Sequence, residues 1–323
     1  MENTQIKAQL SELLGIRYPI IMAPMFLVSN TKMIIAAINA GITGAIPALN
    51  YRTIEEFRKA IREIKEQVNG PFGINLIVNK SNFYYKDQLA AACEEKVDFI
   101  ITSLGSPEET IKMAHQHGIK VFCDVTDLRF AKKVEALGAD AIIAVNKEAG
   151  GHAGPTPMHD LVPELVANCS IPVISAGGVG NGKEMKAALS LGAAGCSIGS
   201  IFIATTESDV NNDYKQACID YGKDDIVMTT KLSGTPCAVI NTPYVQKIGT
   251  EQSWLERILN KNKKLKKWFK AFTFAKGMKS LQKAAFSATY KTVWCAGPTI
   301  ENVKSIRPIH EIVEQLVKEY HEV

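Results

Sequence analysis

No Cys-x-x-Cys pair occurs among the seven cysteines of this 323-residue chain: Cys93, Cys123, Cys169, Cys196, Cys218, Cys237 and Cys295. An odd set at irregular spacing excludes a disulfide framework and a zinc-ligand signature, and it points to reduced, mostly buried thiols in a cytoplasmic protein. Cys123 and Cys196 sit inside apolar runs, where packing is their role, and no cysteine is assigned to catalysis. No apolar run approaches the roughly 20 residues that span a bilayer, so no transmembrane segment is expected. The opening residues, Met1 to Ile20, lack a basic stretch followed by an apolar core, so no secretory signal is expected either. Aromatic residues are only 7% of the chain, low-complexity tracts are missing, and no nucleic-acid-binding module is recognisable.

What is present is an ordinary globular composition, 46% hydrophobic and 22% charged, with a mean hydropathy near zero. Such a chain buries a large core, and α/β barrels of this length commonly count as one domain. The total charge of +4 is unevenly distributed. Residues 247–291 hold twelve Lys/Arg against Glu251 and Glu256, a local +10 that leaves −6 for the remainder. A patch of that kind is either a solvated face, a membrane-surface helix, or a site for an acidic partner. An acidic carrier protein is the candidate for the third case.

Short β-branched runs alternate regularly with helical periodicity. The strand-like segments are Pro19–Met25, Ile42–Pro47, Phe72–Val78, Phe99–Leu104, Lys120–Val125, Ala141–Asn146, Pro172–Gly178 and Gly195–Ser200. Amphipathic stretches lie between them, and Asn211–Tyr221 follows the last. Near-continuous apolar strands, each followed by a helix, indicate buried parallel strands. Eight such units in about 220 residues fit a (β/α)8 TIM barrel. Gly41, Gly118, Gly138 and Gly192 stand where helices end, and Thr53 and Asp127 where N-caps belong. The expected division is a barrel over 1–222 and a C-terminal segment over 223–323. In that segment short extended pieces precede a basic helix over Ser253–Tyr290 and an amphipathic helix over Ile309–Tyr320.

Parallel barrels carry their active sites at the C-terminal ends of the strands. That rule selects Ala23, Pro24 and Met25 after the first strand, Asn75 on the third and Asp124 on the fifth. It also selects Glu148–Gly154, with Gly150, Gly151 and His152, after the sixth strand. Ser175, Gly177 and Gly178 belong to the seventh, Gly199 and Ser200 to the eighth. Paired glycines leave backbone amides bare, and histidine is the side chain best placed to move a proton near neutral pH. Loops after the last two strands often bind phosphate through free amides and a helix N-terminus. Gly177-Gly178 facing Gly199-Ser200 suits that purpose.

Several phrases, in order, resemble the nitronate monooxygenase (2-nitropropane dioxygenase-like) family, which includes flavin-dependent enoyl-ACP reductases. They are Ala-Pro-Met at 23–25, Gly-Ile-Asn-Leu at 73–76, Glu-Ala-Gly-Gly-His at 148–152, Ser-Ala-Gly-Gly-Val at 175–179 and Ile-Gly-Ser at 198–200. The resemblance, over roughly residues 10–245, implies an FMN-binding TIM barrel. In it Met25 and Asn75 contact the flavin ring, and Gly150, Gly151, Gly177, Gly178, Gly199 and Ser200 hold its phosphate and ribityl end. His152 matches the family's active-site histidine. The implied reaction is oxidation of a nitronate, with O2 receiving the electrons; the alternative is an NAD(P)H-dependent reductase acting on an enoyl thioester or quinone.

The chain departs from the family pattern in places. Ile201 replaces a common arginine after the eighth strand, removing any ion pair made there. Asp124 is an acid where a neutral or basic group is usual. It either binds a substrate or ribityl hydroxyl or caps the following helix. His159 is expected on the surface.

Overall fold

The computed structural model describes residues 5–79, 82–232, 235–251 and 293–322. Eight parallel strands close a barrel: β1 (Ile20–Met22), β2 (Thr43–Pro47), β3 (Gly73–Ile77), β4 (Phe99–Ser103), β5 (Lys120–Val125), β6 (Ala141–Val145), β8 (Val173–Ala176) and β9 (Gly195–Ile198). β9 pairs back onto β1, with Ile21 opposite Ser197. The helices among the described residues are α1 (Gln9–Leu14), α2 (Thr31–Asn39), α3 (Ile54–Gln67), α4 (Tyr85–Glu94), α5 (Glu108–Gln116), α6 (Leu128–Ala136), α7 (Met158–Asn168), α8 (Gly182–Ser190), α9 (Asn212–Asp220), α10 (Pro243–Ile248) and α11 (Ile309–Glu322).

The expected helix boundaries have identifiable chemical causes. Thr53 accepts from the Glu56 N–H while Glu56 reaches back to the Thr53 N–H, a complete capping box that starts α3. Asp127 accepts from the Phe130 N–H and starts α6. Gly41, Gly118, Gly138 and Gly192 all have φ between +71° and +93°, the conformation that ends a helix cheaply only for glycine.

Side chains along each strand alternate between the barrel interior and the helix layer. Ile21, Ala45, Phe99, Ile101, Phe122, Ile143, Ile174 and Ala176 fill the interior, and Leu10 from α1 joins them. Phe99 and Phe122 stack with centroids 5.0 Å apart. Gly73 leaves room for this pair, since a Cβ there would lie 2.3 Å from Phe99 Cε2. The opposite strand faces, with Met22, Ile74, Leu76, Ile100 and Ile142, pack under the helices.

Residues 223–323 do more than cover the barrel. α11 packs against α8 and α2, completing the outer helix ring. α9, the first helix after β9, packs instead on the 3-10 turn Pro298–Asn302. The chain after residue 222 therefore contains part of the barrel's own helix layer. The short extended pieces are β10 (Ile226–Thr229) and β11 (Cys237–Ile240), which form an antiparallel sheet with β7 (Gly151–His152). The basic helix expected over Ser253–Tyr290 lies outside the described residues. No helix among the described residues is long and apolar enough to cross a membrane.

Candidate active site

A cavity of about 750 Å³ opens at the C-terminal ends of the strands. Ala23, Pro24, Met25, Asn75, Asp124, Glu148, Gly150, Gly151, His152, Gly177, Gly178, Gly199 and Ser200 all line it.

A relay runs across β3, β4 and β5. Asn75 Nδ2 donates to the Ile101 carbonyl at 3.2 Å and to Ser103 Oγ at 2.7 Å, and Ser103 Oγ donates to Asp124 Oδ2 at 2.5 Å. Burial pushes the Asp124 carboxyl up to about 6, against the opposing effect of the Ser103 hydrogen bond. The capping role considered for Asp124 is thus excluded: Asp127 caps α6, and Asp124 faces the cavity.

The loop after β6 is organised by Asn146, fully buried and unmarked by any sequence motif. Its Oδ1 accepts from the Glu148 N–H at 3.0 Å, its Nδ2 donates to the Gly177 carbonyl at 3.0 Å, and its carbonyl accepts from the N–H groups of Ala149 and Gly154. Gly177, at φ +107°, packs so closely here that a Cβ would fall 2.2 Å from Asn146 Oδ1. Glu148 Oε2 accepts from the Met158 N–H at 3.2 Å, so this carboxylate caps α7 while its stem borders the cavity. Downstream, Gly151 and His152 are not a free turn. They form β7 and pair with β11, His152 opposite Cys237 and Gly151 opposite Ala238. Burial lowers the His152 pKa, keeping the imidazole neutral near pH 7.

Across from this loop, Gly178 has φ +76°. The N–H groups of Gly178, Gly199 and Ser200 make no backbone hydrogen bond beyond their own elements among the described residues. These amides can receive an anion. The N-terminus of α8 offers no such free amides at positions 180, 182 and 184. The Gly180 N–H is held by Glu184 Oε2 at 2.7 Å, Gly182 by Glu319 Oε2 at 2.8 Å, and Glu184 by the Asn181 side chain. Two carboxylates already occupy that helix end. On the β1 side, Ser29 Oγ accepts from the Met25 N–H and donates to the Ala23 carbonyl, fixing the loop so that Met25 Sδ borders Gly199.

Ser175 does not join the site. Ile174 and Ala176 face the barrel interior, so the intervening Ser175 faces the helix layer, fully buried and with its Oγ unpartnered among the described residues. Ile201 is buried in the outer core, and the His159 side chain is exposed beside Asp160.

The segment Val293–Gly297, a return strand only in the sense of one isolated bridge at Cys295, supplies a wall that sequence patterning did not reveal. Cys295 bridges Val239, and the Ile240 N–H donates to the Trp294 carbonyl. Tyr214 donates its hydroxyl to the Cys295 carbonyl at 2.5 Å and stacks on Trp294 with centroids 5.4 Å apart. The Gly297 N–H donates to Ser200 Oγ at 2.8 Å, and Gly150 abuts Gly297 so tightly that a Cβ would lie 2.7 Å from its nitrogen. Ser103 was findable, since it follows Phe99 and Ile101 at the inward period of β4. Tyr214, Cys237 and Cys295 arrive from far along the chain without a local signal.

The cavity mouth carries Phe26, Leu49, Leu104 and Phe130, with Lys133 beside them. No cluster of three or more His, Cys, Asp or Glu residues able to hold a metal ion occurs among the described residues.

A closed eight-stranded parallel barrel ringed by helices, with glycine-rich loops and a partly buried histidine at the C-terminal ends of its strands, is the (β/α)8 class of fold. A family profile described as nitronate monooxygenase matches residues 7–319, and the chain belongs to that family of oxidoreductases. It is 32% identical over 247 residues to a (3aS,4S,5R,7aS)-5-hydroxy-7a-methyl-1-oxo-octahydro-1H-indene-4-carboxyl-CoA dehydrogenase of Mycobacterium tuberculosis, covering 76% of this chain and 69% of that one. It is 31% identical over 274 residues to a nitronate monooxygenase of Paraburkholderia phytofirmans, covering 71% and 75%. The solved structure of FabK from Thermotoga maritima superposes with a TM-score of 0.86 at 30% identity, covering 98% of this chain and 97% of that one.

Proposed function

We propose that this protein is an FMN-dependent oxidoreductase that oxidises alkyl nitronates with O2. The observation that carries the reading is the set of bare amides at Gly178, Gly199 and Ser200, in a cavity that also presents Asn75, Asp124 and a neutral His152. The residues fit the cofactor. Three amide donors and the proton of the Ser200 hydroxyl, whose oxygen already accepts from Gly297, suit a phosphate without any lysine or arginine. Met25 and Asn75 would border the ring, and Gly150 and Gly151 the ribityl chain. The volume of about 750 Å³ falls in the range of pockets that enclose such ligands. Bound flavin supplies the two-electron chemistry, while the protein supplies position and electrostatics. His152 would orient or protonate the bound substrate, and assist deprotonation where the neutral nitroalkane is what binds; general acid–base help of this kind is typically worth about 10²–10⁴-fold. In this reading residues 1–222 carry most of the cofactor contacts, and 223–323 add β10, β11, the return strand and α11.

A second reading, an NAD(P)H-dependent reductase of an enoyl thioester or quinone, is favoured by the mouth. Phe26, Leu49, Leu104 and Phe130 give an apolar chain a path, and Lys133 lies beside it for an anionic head group or an acidic carrier protein. The CoA-ester substrate named for the Mycobacterium tuberculosis relative is of that chemical kind.

One paired assay separates the two. The purified yellow protein is tested for O2 uptake with propionate 3-nitronate, and anaerobically for flavin bleaching by NADH or NADPH. Nitronate-dependent uptake supports the first reading; rapid bleaching by a pyridine nucleotide without nitronate oxidation overturns it. His152→Ala is expected to retain FMN and to lose about 10²–10⁴-fold in turnover. Full activity in that variant would remove His152 from the chemistry.

A further inference from the structure

Cys237 and Cys295 are 58 residues apart in sequence, yet their sulfurs approach to 3.6 Å. Both line the cavity. The arrangement follows from the small sheet. Cys295 bridges Val239, two residues beyond Cys237 on β11, and this two-residue offset puts both side chains on one face. The other cysteines have no such neighbour: Cys93, Cys123, Cys196 and Cys218 are buried within the outer core, and Cys169 is partly exposed.

We propose that Cys237 and Cys295 form a peroxide-sensitive redox site in the cavity wall, converting to an intramolecular disulfide when hydrogen peroxide enters the cavity. Partly exposed Cys295 is the attacking thiol, and buried Cys237 resolves the product. The hydrogen bond with the adjacent Cys295 sulfur, and then burial, push the Cys237 thiol well above its ordinary range, which suits the second role and not the first. In the first step the Cys295 thiolate attacks one peroxide oxygen. The O–O bond breaks, and the departing hydroxide takes up a proton as water, leaving a sulfenic acid on Cys295. In the second step the Cys237 sulfur attacks the Cys295 sulfur. The S–O bond breaks, the Cys237 proton goes to the leaving hydroxide, and a second water departs. Two electrons pass from the two sulfurs to one peroxide, and two thiols become one disulfide.

Bond formation requires the sulfurs to close from 3.6 Å to about 2.05 Å. That movement is made at a point tied on every side. The Cys295 carbonyl is held by Tyr214, Gly297 is bonded to Ser200, and Cys237 is the register partner of His152. The disulfide would therefore fasten the return strand to β11 directly beside the proposed anion amides and the histidine. It requires only peroxide and these two thiols, so it stands apart from the choice between nitronate and thioester substrates.

The test uses the full-length protein, reduced and freed of reductant, then treated with a few equivalents of hydrogen peroxide. Non-reducing peptide mapping is expected to show a Cys237–Cys295 cross-link, with loss of two hydrogens in the intact mass, and dithiothreitol is expected to restore both free thiols. Cys237→Ser should stop the reaction at a Cys295 sulfenic acid that dimedone traps, while Cys295→Ser should abolish cross-link and adduct together. The wild-type map alone decides the matter should either variant fold poorly. Oxidation confined to Cys169, or Cys295 overoxidised with no cross-link at any peroxide dose, would overturn the proposal.

Discussion

Replacing Asn146 with alanine tests whether the loop carrying His152 is organised as described. The side chain makes two hydrogen bonds: Oδ1 accepts from the Glu148 N–H, and Nδ2 donates to the Gly177 carbonyl, each at 3.0 Å. Asn146→Ala removes both bonds at once and leaves a part-buried donor and a part-buried acceptor without this partner. Each such orphan costs about 1–3 kcal/mol. The adjoining cavity admits water that recovers part of this, so the expected loss is about 2–4 kcal/mol. Urea unfolding of the apoprotein should report it as a lower midpoint at unchanged slope. Gly177 loses its hydrogen-bonded support while held at φ +107°, so the neighbouring Gly178 amide loses its aim. FMN affinity, followed by fluorescence, should fall about tenfold or more, equivalent to about 1.4 kcal/mol. A variant within about 0.5 kcal/mol of wild type, the range of ordinary surface substitutions, would refute the assigned role. So would unchanged FMN affinity.

Asp124→Asn should stabilise the apoprotein at alkaline pH. The native carboxyl is raised from 3.8 to about 6, so the folded state binds the extra proton between those values. Stability from this group is present below about 4 and lost as pH rises through 6, at most about 3 kcal/mol at roughly 1.36 kcal/mol per unit; equal effects of the substitution at pH 4 and pH 8 would contradict this. His152 has the opposite sense: its depressed pKa means the unfolded chain binds the proton first, so stability falls as pH drops below about 6.5. The acid limb of turnover should therefore lie below pH 6.5, and a limb above it would show a charged imidazole in the resting site. Trp294→Ala removes a fully buried ring stacked on Tyr214 and should cost about 3–5 kcal/mol, measured by thermal or urea unfolding.

The barrel was legible because its signals are local. Each strand is a short β-branched run, and Gly41, Gly118, Gly138 and Gly192 mark helix ends through a backbone conformation that side chains resist. The strand ends that line the cavity followed from strand order alone. What stayed hidden depends on parity or on distance. Ser175 was assigned by its motif, but the two-residue period of β8 turns it away from the cavity between Ile174 and Ala176. The amide of Gly182 at the start of α8 is taken by Glu319, 137 residues away, a partner no local pattern announces. Pairing of β7 with β11, and of Cys295 with Val239, joins segments whose own sequences announce only short extended pieces. Asn146 had no chance of recognition, because its role exists only once Gly177 has been folded against it.

These long-range ties explain why a barrel site needs the last third of the chain. Ser200 holds Gly297, Gly150 has no Cβ so that Gly297 can approach, and Tyr214 fixes Cys295 from the α9 side. The proposed anion amides and the strand bearing His152 thus meet at one crossing segment instead of belonging to independent loops. A ligand that orders the amides at Ser200 also braces Gly297, and through Cys295 and Val239 it braces β11, the partner of His152. On the proposed function, binding energy at the anion end would thereby be spent on positioning the histidine, a use of remote contacts that favours turnover over mere affinity.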